Sequence, residues 1–163
     1  MLRPDGTSSV VADCLGFANG LAMSADEKSL CCCQSFASNI IRYPVLPGAT
    51  LGAGEQYGPI LGGVGKSAPG RDLKTFGFPD GCAFDVDGNL WITQFWAQKV
   101  IAITPDGELV TIIDDPDEEI LKMPSNVTFD SPDMKDVYIG CLETTYVVKT
   151  RSSIAGMKLA HQF

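Results

Sequence analysis

The chain is short of positive charge and of histidine. Lys and Arg number 12 against 20 Asp and Glu, a net charge of −8 over 163 residues. A nucleic-acid binder needs a basic footprint to displace counterions from phosphate, so the balance argues against that class. One histidine, His161, stands near the C-terminus, which weighs against a histidine-built zinc site or a catalytic triad. No apolar run approaches the roughly 20 residues that span a bilayer, and no membrane partner is expected. The opening Met1-Leu2-Arg3-Pro4-Asp5-Gly6 has no apolar h-region and does not read as a signal peptide. Helical periodicity is equally scarce. Its best candidate, Asp117–Lys122, is boxed in by Pro116 and Pro124.

What is present is apolar bulk and turn chemistry. Apolar residues make up 45% of the chain, enough for one domain with a real core. Gly (17) and Pro (10) punctuate short apolar runs, the pattern of an all-β chain. The six cysteines include Cys31-Cys32-Cys33 and no CxxC pair. Neighbours on a strand point to opposite faces, so three in a row do not suit a disulfide framework. They read as small buried hydrophobes of a reducing compartment, which predicts a cytoplasmic protein. The sequon Asn126-Val127-Thr128 is then idle.

An internal repeat organises the chain. Ala18-Asn19-Gly20-Leu21-Ala22-Met23, Pro79-Asp80-Gly81-Cys82-Ala83-Phe84 and Pro124-Ser125-Asn126-Val127-Thr128-Phe129 align at their starts. Each meets a polar turn (Ser24–Lys28, Asp85–Gly88, Asp130–Lys135) and then an apolar run (Leu30–Cys33, Leu90–Thr93, Val137–Gly140). Third runs follow at Ile40–Tyr43, Val100–Ile103 and Tyr146–Val148, and the second unit adds Leu109–Ile113. Pro4-Asp5-Gly6-Thr7 before Ser9–Ala12 and Pro105-Asp106-Gly107-Glu108 before Leu109–Ile113 carry the Asp-Gly signal of a tight hairpin. The period is 61 and then 45 residues, Asn19 to Asp80 to Ser125, the excess lying in a Gly/Pro/Ser-rich loop, Gly62–Phe76. Four antiparallel strands at this period describe a β-propeller blade. The expected plan is an outer strand of a preceding blade over about 1–13 and blades at 17–61, 77–115 and 124–150. A long loop occupies 62–76 and a tail 151–163.

The first strand of each blade lines the channel, and its opening residue sits at one mouth. Asn19, Asp80 and Ser125 share that column, so three oxygen-bearing side chains converge from separate blades. Oxygen ligands from rigid elements suit a hard cation. Plain turn or capping residues would leave the same sequence trace.

At these residues the chain resembles the gluconolactonase, regucalcin and luciferin-regenerating-enzyme family. The matching runs are Phe17–Ser24, Pro79–Asp85 with Asp87-Gly88-Asn89-Leu90-Trp91, and Pro124–Tyr138. The resemblance implies a six-bladed propeller with a divalent cation, usually calcium, at the channel mouth. It implies that Asn19 and Asp80 bind the metal, that Asp80 is also the general base, and that Ser125 and Asn126 lie at the rim. The implied chemistry is hydrolysis of a small lactone or ester. A phosphotriester-type hydrolase on the same metal site shares this plan. The chain corresponds to about three blades, the second half of the family's ring. The family's metal-binding glutamate, from its first blade, has no matching position here. A non-catalytic propeller remnant that binds a partner is therefore the competing class. Three blades do not close a ring, so the chain is either a fragment or half of a three-plus-three homodimer.

Other residues have plainer alternatives. Trp91 and Trp96 flank Ile92–Phe95 and read as blade packing, or else Gln94, Phe95 or Trp96 lines the substrate mouth. Asp114-Asp115-Pro116-Asp117-Glu118-Glu119 reads as a solvated acidic loop rather than a second cation site. Lys66-Ser67 after Gly62-Gly63-Val64-Gly65 lacks phosphate-loop spacing and is discounted.

Overall fold

The computed structural model describes residues 6–62 and 75–159. Most of the Gly62–Phe76 loop, Lys66-Ser67 and His161 lie outside the described residues, as does the start of the Pro4–Thr7 turn.

Three antiparallel sheets follow one another along the chain, with no α-helix among the described residues. The first holds β1 (Ala18–Met23), β2 (Ser29–Gln34) and β3 (Asn39–Leu46), with β5 (Glu55–Tyr57) on its outer edge. A two-residue strand, β4 (Thr50–Leu51), also folds back on β3. The second is a four-stranded meander, β6 (Pro79–Phe84), β7 (Leu90–Gln94), β8 (Lys99–Ile103) and β9 (Leu109–Asp114). The third has three strands, β10 (Pro124–Asp130), β11 (Asp136–Cys141) and β12 (Val148–Arg151). The first strands lie side by side, β1 against β6 and β6 against β10. Sheets that share an axis through their first strands are propeller blades.

The middle blade explains its own sequence. Leu90, Ile92, Ile101 and Ile103 face the first blade and pack with Cys31, Cys33, Ile40, Tyr57 and Leu61. Trp91, Val100 and Ala102 face the third blade and pack with Val127, Phe129, Val137 and Ile139. A sheet covered on both sides needs apolar residues at both parities, so β7 and β8 read as unbroken runs rather than alternations.

Several expectations are corrected. Ser9–Ala12 forms no strand; Val11–Leu15 instead borders the free face of the first sheet beside Ile41 and Tyr43, where apolar residues are spent on covering rather than pairing. The run expected at Tyr146–Val148 pairs later, as β12, because Ile139 takes Val148 as its partner. As the flanking Pro116 and Pro124 lead one to expect, no helix forms at Asp117–Lys122. There the Asp115 carboxylate accepts the N–H groups of Glu119, Ile120 and Leu121, a local loop solution that competes with a helix. Burial works to raise the Asp115 pKa, and these N–H groups outweigh it and hold it low. The tail after β12 is tied down. Val86 N–H donates to Ala155 O, Gly156 N–H to Met134 O and Met157 N–H to Phe84 O, stitching the second blade to the third.

Candidate active site

Each blade breaks its ladder at the same place. Ala18 pairs with Gln34 but Leu21 with Cys32, so Asn19 and Gly20 share one partner position. Asp80 and Gly81 do the same between Pro79↔Gln94 and Cys82↔Ile92, and Ser125 between Pro124↔Cys141 and Asn126↔Gly140. A bulge re-aims its side chains out of the ladder. The three bulges therefore present Asn19, Asp80 and Ser125 at one end of the adjacent inner strands.

Two glycines let those strands approach. A Cβ on Gly20 would fall inside the radius of the Asp80 carbonyl oxygen and 3.0 Å from Cys82 N. A Cβ on Gly81 would stand 2.6 Å from both Asn126 Cα and the Ser125 carbonyl oxygen. Glycine is required here for close backbone approach. A hydrogen-bond relay ties the first two positions together. Asn19 Nδ2 donates to Ser35 Oγ at 3.3 Å, and Ser35 Oγ donates to Pro79 O at 2.7 Å. With its nitrogen so engaged, the Asn19 amide oxygen carries no hydrogen bond among the described residues.

Asp80 is half-buried, and burial pushes its carboxyl pKa up. Among the described residues its carboxylate has no ion-pair or hydrogen-bond partner, which sets it apart from Asp85. That side chain, 1% exposed, accepts from Asp87 N, Asn89 N, Asn89 Nδ2 and Trp91 Nε1 at 2.8–3.0 Å. Asp85 is a structural anchor, and Asp80 is a half-buried carboxylate without a partner among the described residues.

The remaining sequence candidates separate. Ser125 Oγ donates to Gly140 O at 3.4 Å, and Asn126 is exposed with its Oδ1 accepting the Val127 N–H. Trp91 is packed between the second and third blades. Gln94 is held away from solvent. It is 5% exposed, and its Nε2 donates to Leu61 O at 2.9 Å. Its parity on β7 matches Leu90 and Ile92, so the side chain turns toward the first blade. Trp96 is half-buried within an aromatic cluster.

That cluster was not legible in the sequence. Phe17, Phe36, Phe76, Phe78, Phe95 and Trp96 form one network, with neighbouring ring centroids 4.8–6.2 Å apart. Phe78 touches the other five. Phe17, Phe78 and Met123, each directly before an inner strand, have φ of 64°, 26° and 54°. Each uses its carbonyl to accept an N–H from the end of the second strand: Ser35, Phe95 and Leu142 respectively. Left-handed backbone at a bulky residue is uncommon and persists where its surroundings hold it.

The donor chemistry fits a hard cation: neutral oxygens beside one unpaired carboxylate. Calcium takes roughly six to eight oxygens, so these side chains supply part of a shell. Among the described residues, no group of three or more Asp, Glu, His or Cys gathers to hold a metal without such neutral ligands.

The sequence matches the SMP-30/Gluconolactonase/LRE-like region over residues 1–142. The chain belongs to this family. A 6-deoxy-6-sulfogluconolactonase from Pseudomonas putida is 28% identical over 141 residues, which cover 85% of this chain and 43% of that protein. Among solved structures, a luciferin-regenerating enzyme superposes with a TM-score of 0.70 at 20% identity, covering 97% of this chain and 53% of its own. A gluconolactonase from Xanthomonas campestris gives 0.62 at 28% identity, covering 85% and 39%. Regucalcin from Agrobacterium tumefaciens, described as a calcium-binding protein, gives 0.66 at 15%, covering 93% and 50%. The chain thus spans about half or less of these relatives' lengths. Its three sheets are a partial β-propeller of the SMP-30/gluconolactonase kind.

Proposed function

We propose that the chain carries part of a metal-dependent lactonase site. Asn19 and Asp80 are its ligands to a divalent cation, calcium by the oxygen-only donor set, and Asp80 also serves as the base. One observation carries this reading. Three aligned bulges bring Asn19, Asp80 and Ser125 to the same strand ends, and the carboxylate among them is half-buried and unpaired. When bound, the cation would supply Lewis-acid polarisation of a lactone carbonyl, held there by Asn19 and Asp80. The Asn19–Ser35–Pro79 relay holds the amide by its nitrogen and leaves its oxygen for a cation. Asp80 is the one carboxylate at these strand ends, so it is the group placed to take a proton from water; burial raises its proton affinity in the metal-free chain, and a bound cation would lower it. Ser125 and Asn126 border the substrate at the third blade. The named relatives, a sulfogluconolactonase and a gluconolactonase, support lactones as the substrate class. The same donor set would serve a phosphotriester.

Calcium titration by calorimetry, with Asp80→Asn and Asn19→Ala beside the parent chain, tests the site. Saturable binding lost in Asp80→Asn is expected. Absence of binding at millimolar calcium would sink the proposal. Lactone hydrolysis abolished by chelator then assigns the activity. A second reading, a non-catalytic binding module, draws on the exposed aromatic pair Phe17 and Phe36 at the same strand ends. It predicts calcium binding without turnover.

A further inference from the structure

We infer that the aromatic cluster is the substrate-facing wall of the proposed site, and that the preferred substrate is a lactone with a flat apolar substituent, such as a fused benzene ring, rather than a polyhydroxylated sugar lactone. This rests on the lactonase reading of Asn19 and Asp80. Phe17 and Phe78 stand two residues before Asn19 and Asp80, on the same strand ends. Phe36 follows Ser35 of the relay directly, and its N–H donates to Gly16 O. The rings therefore crown the strand openings that carry the ligands.

Exposure and bonding specify what they contact. Phe17 and Phe36 are 52% and 55% exposed, with centroids 4.8 Å apart, above the buried Phe78. Large exposed rings gathered at one place mark a surface that takes an apolar ligand. Hydroxyl-rich ligands need free donors and acceptors, and a site that lacks them discriminates against such ligands. Beside the rings, on the first two blades, the polar side chains other than the two proposed cation ligands Asn19 and Asp80 are already committed. Gln34 accepts from Gly16 N and donates to Asn39, Ser35 donates to Pro79 O, Ser38 to Phe76 O, and Gln94 to Leu61 O. Hydrolysis adds one water across the ring ester. The carbonyl carbon gains the hydroxyl, the ring C–O bond breaks, and the released oxygen takes the proton, giving a single hydroxy acid.

The test compares dihydrocoumarin, a δ-lactone fused to benzene, with glucono-δ-lactone on the full chain in calcium. A kcat/KM at least about tenfold higher for dihydrocoumarin is expected, the worth of one or two aromatic contacts. Phe36→Ala should lower that ratio about tenfold through KM, and Phe36→Tyr, which keeps the ring, should restore it. Equal or faster turnover of the sugar lactone, or a ratio unmoved by Phe36→Ala, overturns the inference. Binding is read separately by tryptophan fluorescence with dihydroquinolinone, the unreactive lactam of the same shape, against gluconolactam. Lactam binding that depends on Phe36, with no turnover of any lactone, overturns the hydrolase reading and keeps the aromatic wall. Failure of dihydroquinolinone to bind overturns the wall whatever the turnover.

Discussion

Two aspartates five positions apart show how the same side chain is put to opposite uses. Asp85 lies inside the turn between β6 and β7 and satisfies four donors, among them the indole of Trp91. Removing it strands those donors in a site 1% exposed. Asp85→Ala is therefore expected to cost about 3 kcal/mol, read as a lower urea midpoint at unchanged slope. Asp87→Ala, which leaves the backbone donor and an exposed position, should stay within about 0.5 kcal/mol. Asp80 behaves the other way, since nothing in the described fold needs its charge. Asp80→Asn should leave the midpoint within about 1 kcal/mol while removing calcium binding. A loss of stability like that of Asp85→Ala would mean that Asp80 is structural. Spacing in the sequence marks Asn19 and Asp80 as equivalent positions, and both lie at bulges, because a bulge at a strand start leaves a small residue after a polar one. It did not reveal Asp85, whose partners are mostly backbone groups. Nor did it reveal the left-handed backbone at Phe17, Phe78 and Met123, which residue type opposes and the neighbouring strand's N–H stabilises.

Among the elements, the inner strands depend on how closely their backbones meet. Gly20→Ala would drive a Cβ into the Asp80 carbonyl and push β1 from β6. The expected cost is about 2 kcal/mol, with weaker calcium binding because the two ligands move apart. Gly140→Ala is the control. Its Cβ would meet Asn126 Cβ at 3.9 Å, an ordinary contact. Stability there should hold or rise by up to about 1 kcal/mol through a stiffer unfolded chain. The turn between β10 and β11 responds to acid instead. The Ser131 hydroxyl and the Arg151 guanidinium hold the Asp133 carboxyl down at about 2. A depressed carboxyl stabilises the fold above its ordinary pKa and ceases to as pH falls through the folded value. Amide exchange at Lys135 and Asp136 should therefore quicken as pH drops from about 4 toward 2, after correction for the intrinsic rate. Arg151→Ala should move that onset to higher pH, and an onset insensitive to Arg151 would refute the assignment. Alternation and Asp-Gly turns made most strands legible. The outer strands were less so, because Ser9–Ala12 and Tyr146–Val148 carry a strand-like pattern whose pairing depends on distant partners.

Across the whole molecule, the two outward sheet faces differ in kind. The outer face of the first sheet carries Leu21, Cys32 and Ile41 in one cross-strand row and Met23, Leu30 and Tyr43 in the next, with the 11–15 segment lying over part of it so that Cys32 and Tyr43 are buried. The free face of the third carries Thr128, Tyr138 and Lys149, then Asp130, Asp136 and Arg151. There Asp136 is paired with both Lys149 and Arg151 at 2.7 Å, and Arg151 also bonds Asp133. A three-plus-three ring would press this charged face against the partner's apolar one. Solvated ion pairs gain little by forming, and burying them against hydrocarbon costs several kcal/mol per ion. Closure would meet that cost twice in a two-fold assembly. Sedimentation at micromolar concentration is therefore expected to show a 17.4 kDa monomer. Replacing Asp130, Asp133, Asp136, Lys149 and Arg151 together with apolar residues, which leaves no carboxylate unpaired on that face, should increase self-association by making the two faces alike. A stable dimer of the parent chain, dissociated rather than strengthened by those substitutions, would show that the charged rows themselves form the interface.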